Sequence, residues 1–398
     1  MGSGVSRRAF LASAAAFSTL ASAGGASRAY AANDSITIGV AGMGSRGRDH
    51  ARMFAYTDGC YVKTVCDPDA NRIGRMPDQL ARIQDRPVGG VQDMRAMFDD
   101  PDIDAVCIAT CDHWHGLATI WACQAGKDVY VEKPASHNVW EGRKMMEATA
   151  RYERVVQVGT QNRIAPYVRA AREQIAAGKL GDVPLIKVYN MKPGGPFELP
   201  PDEAVPEDVD YDLYLGPAPT RPFNRAHFHR GWKKFWAYSG GDMADDGFHQ
   251  LDIARLLLGD PPAPRAVHGM GGVVAFRDDR EVPDTQVVSY DFGHCVMTFE
   301  LTQFAPYMRK TSSEIRQSDT FPNWQMNATR VEVHGTEQIL YVGRHGGGWQ
   351  MFADEERLTE QEFGRDATRM LRDNFLDCVR TRETPVSNIE QGHAGAVL

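Results

Sequence analysis

The sequence predicts an α/β chain: a doubly wound parallel sheet comes first, then an α+β domain with an open, largely antiparallel sheet. Three observations predict it. Apolar, strand-like runs alternate with helix-length stretches as far as residue 160, the pattern of a parallel sheet covered on both faces. The glycine string Gly42-Met43-Gly44-Ser45-Arg46-Gly47 directly follows the first of these runs. Past residue 166 the strand-like runs lengthen and are punctuated by hairpin-like breaks such as Asp291-Phe292-Gly293-His294.

The elements follow in order. Residues 36–41 read as a strand, 48–56 as a helix and 61–66 as a second strand ending at Asp67, twenty residues past Gly47. That is the dinucleotide fingerprint of a Rossmann unit. Gly42 permits the tight turn, Gly44 lets backbone approach a pyrophosphate, and Gly47 allows close helix–strand packing. The helix N-terminus supplies partial positive charge. Asp67 would accept hydrogen bonds from both adenosine ribose hydroxyls and repel a 2′-phosphate, so NAD is favoured over NADP. Strand-like runs continue at 105–109, 129–131 and 155–158, with helices predicted at 115–125 and 140–151. In the second part a helix at 167–177 ends at Gly178, and strands are predicted at 184–191, 286–291, 295–303 and 330–334. The proline-rich residues 193–222 read as a surface excursion, and 364–382 as a helix. The sequence stops at Leu398 inside an apolar pattern, an expectation that the natural chain runs further.

Ser6-Arg7-Arg8-Ala9-Phe10-Leu11 is a twin-arginine pattern, followed by an alanine-rich apolar stretch and by Ala29-Tyr30-Ala31, small residues at the positions a signal peptidase reads. The stretch is too short for a membrane span, which needs about 20 apolar residues. The expected organisation is therefore a signal peptide at 1–31, a dinucleotide-binding domain at 33–163 and a substrate-binding and oligomerisation domain at 164–398. A periplasmic or otherwise exported address is in tension with a soluble cofactor that is scarce outside the cytoplasm. A protein exported folded resolves it by leaving with tightly held cofactor.

The 398 residues carry a formal net charge of −8 with arginines dispersed, which gives no footprint for nucleic acid. Seven cysteines, none in C-x-x-C spacing, indicate neither a zinc knuckle nor a thioredoxin-type site; Cys66, Cys107 and Cys295 read as small buried hydrophobes. His113 with His115, and His227 with His229, sit two apart without a third ligand at recognisable distance, so no metal is expected.

Three places carry chemistry. Glu132-Lys133-Pro134 follows a strand at the carboxyl edge of the parallel sheet, where ligands bind in doubly wound folds. Asp245 and His249 are four apart in a helix predicted over 240–258, which puts both side chains on one face. Oxidising a secondary alcohol needs a base for the hydroxyl proton, and a histidine oriented by a carboxylate suits the task. Residues 227–238 hold five aromatics, among them Trp232 and Trp236, which offer flat partners for sugar rings or a packed patch under a loop.

Together the glycine string, Asp67, Asp112-His113-Trp114-His115, Glu132-Lys133-Pro134, Gly159-Thr160-Gln161-Asn162-Arg163 and Asp245-Asp246-Gly247-Phe248-His249 resemble the glucose–fructose oxidoreductase/inositol dehydrogenase (Gfo/Idh/MocA) family. Leu215-Gly216-Pro217-Ala218-Pro219 narrows the resemblance to its exported branch. The resemblance implies an NAD-dependent oxidoreductase of sugars or sugar derivatives that assembles as a homodimer or homotetramer. It implies cofactor contacts from Gly42 through Gly47, Asp67, Thr110, His115, Glu132 and Lys133. It assigns catalysis to Lys133, His249 and Asp245, with Arg163, Trp232 and Trp236 beside the substrate. Asp246 departs from the branch, and either tunes His249 or faces solvent. Two other readings stand beside the dehydrogenase. One is a glycoside-cleaving enzyme that oxidises C3 transiently, eliminates, adds water and re-reduces. The other is a non-catalytic carbohydrate-binding shell, against which the intact motifs argue.

Overall fold

The computed structural model describes residues 35–398, so the predicted signal peptide lies outside the described residues. The first sheet is built from β1 (Ile36–Ala41), β2 (Cys60–Cys66), β3 (Gly89–Val91), β4 (Ala105–Ile108), β5 (Asp128–Val131) and β6 (Val156–Val158). Its order is β3-β2-β1-β4-β5-β6 and every pairing is parallel. β4 and β5 are buried along their whole length, as parallel strands sandwiched between helices must be. The order reverses between β1 and β4, which opens a crevice at their carboxyl ends. Gly42, Asp67, Thr110, Glu132 and Thr160 all lie just past strand ends on that one edge.

The second sheet runs β14 (Leu358–Glu362), β13 (Trp349–Phe352), β12 (Ile339–Gly343), β11 (Arg330–His334), β7 (Leu185–Met191), β10 (Val296–Thr302), β9 (Thr285–Asp291), β8 (Ala266–Gly272). Only β7 and β10 pair in parallel; the other six pairings are antiparallel. Its inner face (Ile186, Val188, Met297, Phe299, Leu301, Val331, Val333, Leu340, Val342) packs on the helices Pro166–Ala176 and Phe248–Leu257. Leu251, Ile253, Ala254 and Leu257 supply the buried side of the second helix, as its sequence predicts. Each such apolar side chain contributes about 1.5–3 kcal/mol on burial.

Two features depart from the sequence reading. The chain returns at its end: helices Thr368–Thr381 and Ile389–Ala396 pack on the first sheet, through Phe375 edge-on to Tyr130 and Ile389 in the first sheet's core. The helix Thr368–Thr381 and Ile389 therefore pack with the dinucleotide-binding half, while Leu398 returns to the second core and accepts from the Tyr290 hydroxyl at 2.6 Å. The excursion after β7 also has its own core, in which Tyr211, Tyr214, Phe223, Phe228, Phe235 and Tyr238 stack and interlock. Trp114 clamps it to the first half, its indole N–H shared between the carbonyls of Leu213 and Tyr214.

Candidate active site

The glycine turn behaves as its sequence requires. Gly42 has φ +88°, a conformation that disfavours other residues, and a Cβ there would lie 2.5 Å from the Ala109 carbonyl. A Cβ on Gly47 would lie 1.7 Å from the Gly42 oxygen, whereas one on Gly44 would meet nothing within 4 Å. The open space is thus above Gly44, at the N-terminus of the helix Ser45–Ala55, where a pyrophosphate would sit. Asp67 braces the turn: one carboxylate oxygen accepts from Met43 N–H at 2.7 Å and the other from Asp69 N–H at 3.0 Å. Burial outweighs these bonds and raises its pKa to about 6. The residues present fit a dinucleotide.

Further along the same edge, the Glu132 carboxylate is spoken for. One oxygen accepts from Arg46 Nε and from His50 Nε2, each at 2.7 Å, and the other from Lys133 N–H at 3.2 Å. Although burial opposes ionisation, Arg46 and His50 hold this carboxyl well below its ordinary range. Arg46 therefore orients Glu132, a pairing that residue spacing did not disclose. His115 donates from Nδ1 to the Pro134 carbonyl at 2.7 Å, which leaves Nε2 as a buried acceptor without a partner; burial keeps the ring neutral. Thr110 lies at the end of β4, half-buried.

Lys133 reaches across to the second half. Its Nζ donates to Asp245 Oδ1 at 2.6 Å and to the Asp245 carbonyl at 2.9 Å, and Lys233 Nζ holds the other carboxylate oxygen at 2.5 Å. Asp245 and Asp246 lie in a π-helical turn, Met243–Gly247, that leads into the helix of His249. This turn breaks the predicted single helix, and it corrects the predicted partnership: Asp245 pairs with two lysines and not with His249. The two ammonium groups hold its pKa far below the ordinary value despite burial.

His249 is buried and its Nδ1 has no partner; its ring meets that of His345 edge-to-face, centroids 4.4 Å apart. Burial first, then Arg344 and Lys133, depress its pKa well below 6.5, so the imidazole is neutral. Asp246 is turned neither to His249 nor to solvent. It receives Lys192 at 2.5 Å, Arg344 at 2.9 Å and Lys310, and its pKa is depressed by them. Arg344 and His345 come from the turn after β12, where four successive residues, His345 to Gly348, have positive φ. The sequence analysis missed this turn, whose only signal is the run Gly346-Gly347-Gly348.

The other three predicted residues differ in their surroundings. Arg163 is buried beneath the site, its guanidinium bound to Asp252 at 2.8 Å and Asp260 at 2.9 Å, so its donors are engaged away from the substrate. Trp232 is half-buried against the aromatic cluster, with Lys233 over its ring, and Trp236 is 52% exposed. Phe228, Phe235 and Tyr238 of the same stretch form core. His113 bonds the Tyr214 carbonyl, and His227 is buried against Phe235 while His229 bonds Asp69 at 2.8 Å, so the two histidine pairs diverge. Among the described residues no three His, Cys, Asp or Glu side chains converge as metal ligands, and no helix is long and apolar enough to cross a membrane.

Comparison with known proteins matches residues 36–160 to the oxidoreductase family with an NAD-binding Rossmann fold (Gfo/Idh/MocA), and residues 189–269 to that family's C-terminal α/β domain. A scyllo-inositol 2-dehydrogenase (NAD(+)) of Bacillus subtilis is 24% identical over 365 residues, 88% of each chain. A myo-inositol 2-dehydrogenase of Thermotoga maritima is 24% identical over 373 residues, 91% of this chain and 90% of that one. The fold is also that of aldose-aldose oxidoreductase from Caulobacter crescentus, with TM-score 0.65 at 18% identity over 91% of this chain and 94% of that one.

Proposed function

Since the chain belongs to the Gfo/Idh/MocA family of NAD-binding oxidoreductases acting on CH–OH groups, we propose that it oxidises a secondary alcohol of a sugar or sugar derivative outside the cytoplasm. The contact of Lys133 with Asp245 carries this reading, because it draws the nicotinamide edge of one sheet against the polar wall of the other. The turn Gly42–Gly47 and Asp67 would hold NAD, which when bound would supply the hydride acceptor. Lys133 polarises the reacting hydroxyl, and Asp245 holds the lysine in place. His249, neutral and without a carboxylate partner, accepts the hydroxyl proton at a ring nitrogen.

The twin-arginine pattern supports export of a folded, cofactor-loaded protein. The outer face of the second sheet supports self-association: Met270, Val287 and Val296, on β8, β9 and β10, are 73%, 47% and 44% exposed. Ser289, Thr298 and Glu300 share that face, so it is mixed and not purely apolar. Light scattering at micromolar concentration is expected to give a dimer or tetramer.

The test is cofactor release from purified protein read by mass spectrometry, then a panel of sugars and inositols followed by NADH absorbance. NAD in the released fraction with net NADH formation supports the reading. Turnover of an aryl glycoside without added NAD and without net NADH would replace it with the redox-assisted glycosidase.

A further inference from the structure

The same site, read as a sugar dehydrogenase, carries a charge imbalance that speaks to its substrate. Asp246 alone faces three cations, Lys192, Lys310 and Arg344. Lys192 is shared with Asp242 at 2.5 Å, and Asp245 is shared by Lys133 and Lys233. Five cations therefore meet three carboxylates, an excess of two positive charges with every one of these aspartates ionised. Burial raises the pKa of Asp242, which lets that charge be lost more easily and the excess grow. Asp112, the next carboxyl, bonds Ser239 and has a pKa raised to about 7, so it offsets only part of the excess near neutrality. His249 and His345 are neutral.

Beyond the part that Asp112 offsets, the excess falls on Arg344. Arg344 is 6% exposed, and its Nε and Nη1 are buried without any acceptor. A guanidinium cannot shed its proton to escape this cost. The cluster opens to solvent through two side chains, Lys233 and Lys310, which are 43% and 39% exposed. A neutral sugar offers hydroxyls to such a pocket but no compensating charge.

We propose that the substrate is a sugar bearing an oxyanion, a carboxylate or a phosphate ester, received at the mouth by Lys310 with Arg344 behind it. Lys133 and His249 then face the carbinol. This inference rests on the dehydrogenase reading, and the experiment separates the two.

The full chain with NAD is assayed for NADH formation on D-glucose, D-glucuronate and D-glucose 6-phosphate, and on the matched galactose series. At least one anionic probe is expected to exceed its neutral parent in kcat/KM by about tenfold, the worth of one charge-assisted hydrogen bond. Lys310→Met is expected to lose that preference through KM, and Lys310→Arg to keep it. Neutral sugars used as well as their acids would overturn the proposal, whichever variant folds. The glucuronate and phosphate arms distinguish the two oxyanions. If no probe is oxidised, the wider sugar and inositol panel decides the dehydrogenase reading, and the melting temperature of the NAD-loaded protein decides the anion. A rise with glucuronate or glucose 6-phosphate, absent with glucose and abolished in Lys310→Met, supports an anion site; no rise with either overturns it.

Discussion

Lys133 Nζ and Asp245 Oδ1 lie 2.6 Å apart, joining the strand end of one sheet to the π-helical turn that precedes the helix of His249. The acid thereby positions the lysine, with Lys233 as its counterweight at 2.5 Å. Replacing Asp245 by Asn removes the charge that keeps two ammonium groups together. Asp245→Asn is expected to lower kcat by about 10²-fold or more, comparable with His249→Ala, because each removes a group of the acid–base machinery. NAD affinity, read by fluorescence titration, should hold in both. A kcat near wild type in Asp245→Asn would reduce the Lys133 contact to a structural tie.

The pH dependence of cofactor binding should report Asp67. Its carboxyl is raised to about 6 by burial, and only the ionised form can accept from both ribose hydroxyls. Affinity for NAD is therefore expected to be flat above pH 6 and to fall below it, by at most about tenfold per pH unit. Asp67→Asn should flatten the profile at lower affinity. A wild-type profile flat from pH 5 to 8 would remove Asp67 from the ribose contacts. His249 should contribute no limb near 6.5, since its pKa is depressed well below that value and the base stays neutral as pH falls through it.

Much of this was legible in the sequence because it is local. Gly42, Gly44 and Gly47 are fixed by backbone geometry within one turn, and the strand ends carrying Asp67 and Glu132 follow from apolar runs bounded by polar residues. What was not legible depends on partners distant in the chain. Arg46 meets Glu132 86 residues away, and Asp246 meets Arg344 98 residues away. The spacing of Asp245 and His249 predicted a shared face, but their bonding was decided by Lys133 and Lys233, which spacing does not encode. The edge strand β3, two glycines and a valine, has no apolar pattern to announce it.

Arg163 separates a structural from a substrate role. Removing its side chain would strand the Asp252 carboxylate, which is almost wholly buried, whereas Asp260 keeps Arg255 at 3.1 Å. Breaking one partner of a buried ion pair costs about 3–5 kcal/mol. Arg163→Ala is thus expected to lower the melting temperature by many degrees, while the fraction that remains folded keeps the KM for the sugar. A raised KM with unchanged melting temperature would return Arg163 to the substrate site.

Two glycines three residues apart should respond in opposite ways to the same methyl group. In Gly47→Ala the new Cβ would lie 1.7 Å from the Gly42 carbonyl oxygen. Helix propensity favours alanine over glycine by about 1 kcal/mol, but relieving a backbone overlap of this kind costs about 1–3 kcal/mol or more, so the variant is expected to melt lower. Gly44 has φ −67°, open to any residue, and its added Cβ would meet nothing within 4 Å. Gly44→Ala should therefore keep its melting temperature without cofactor, within about 1 kcal/mol of stability for an N-cap exchange. The methyl would instead occupy the space through which backbone approaches the pyrophosphate. Retained stability with NAD affinity reduced by about tenfold or more would locate the cofactor over this turn; full affinity in Gly44→Ala would move the pyrophosphate away from it.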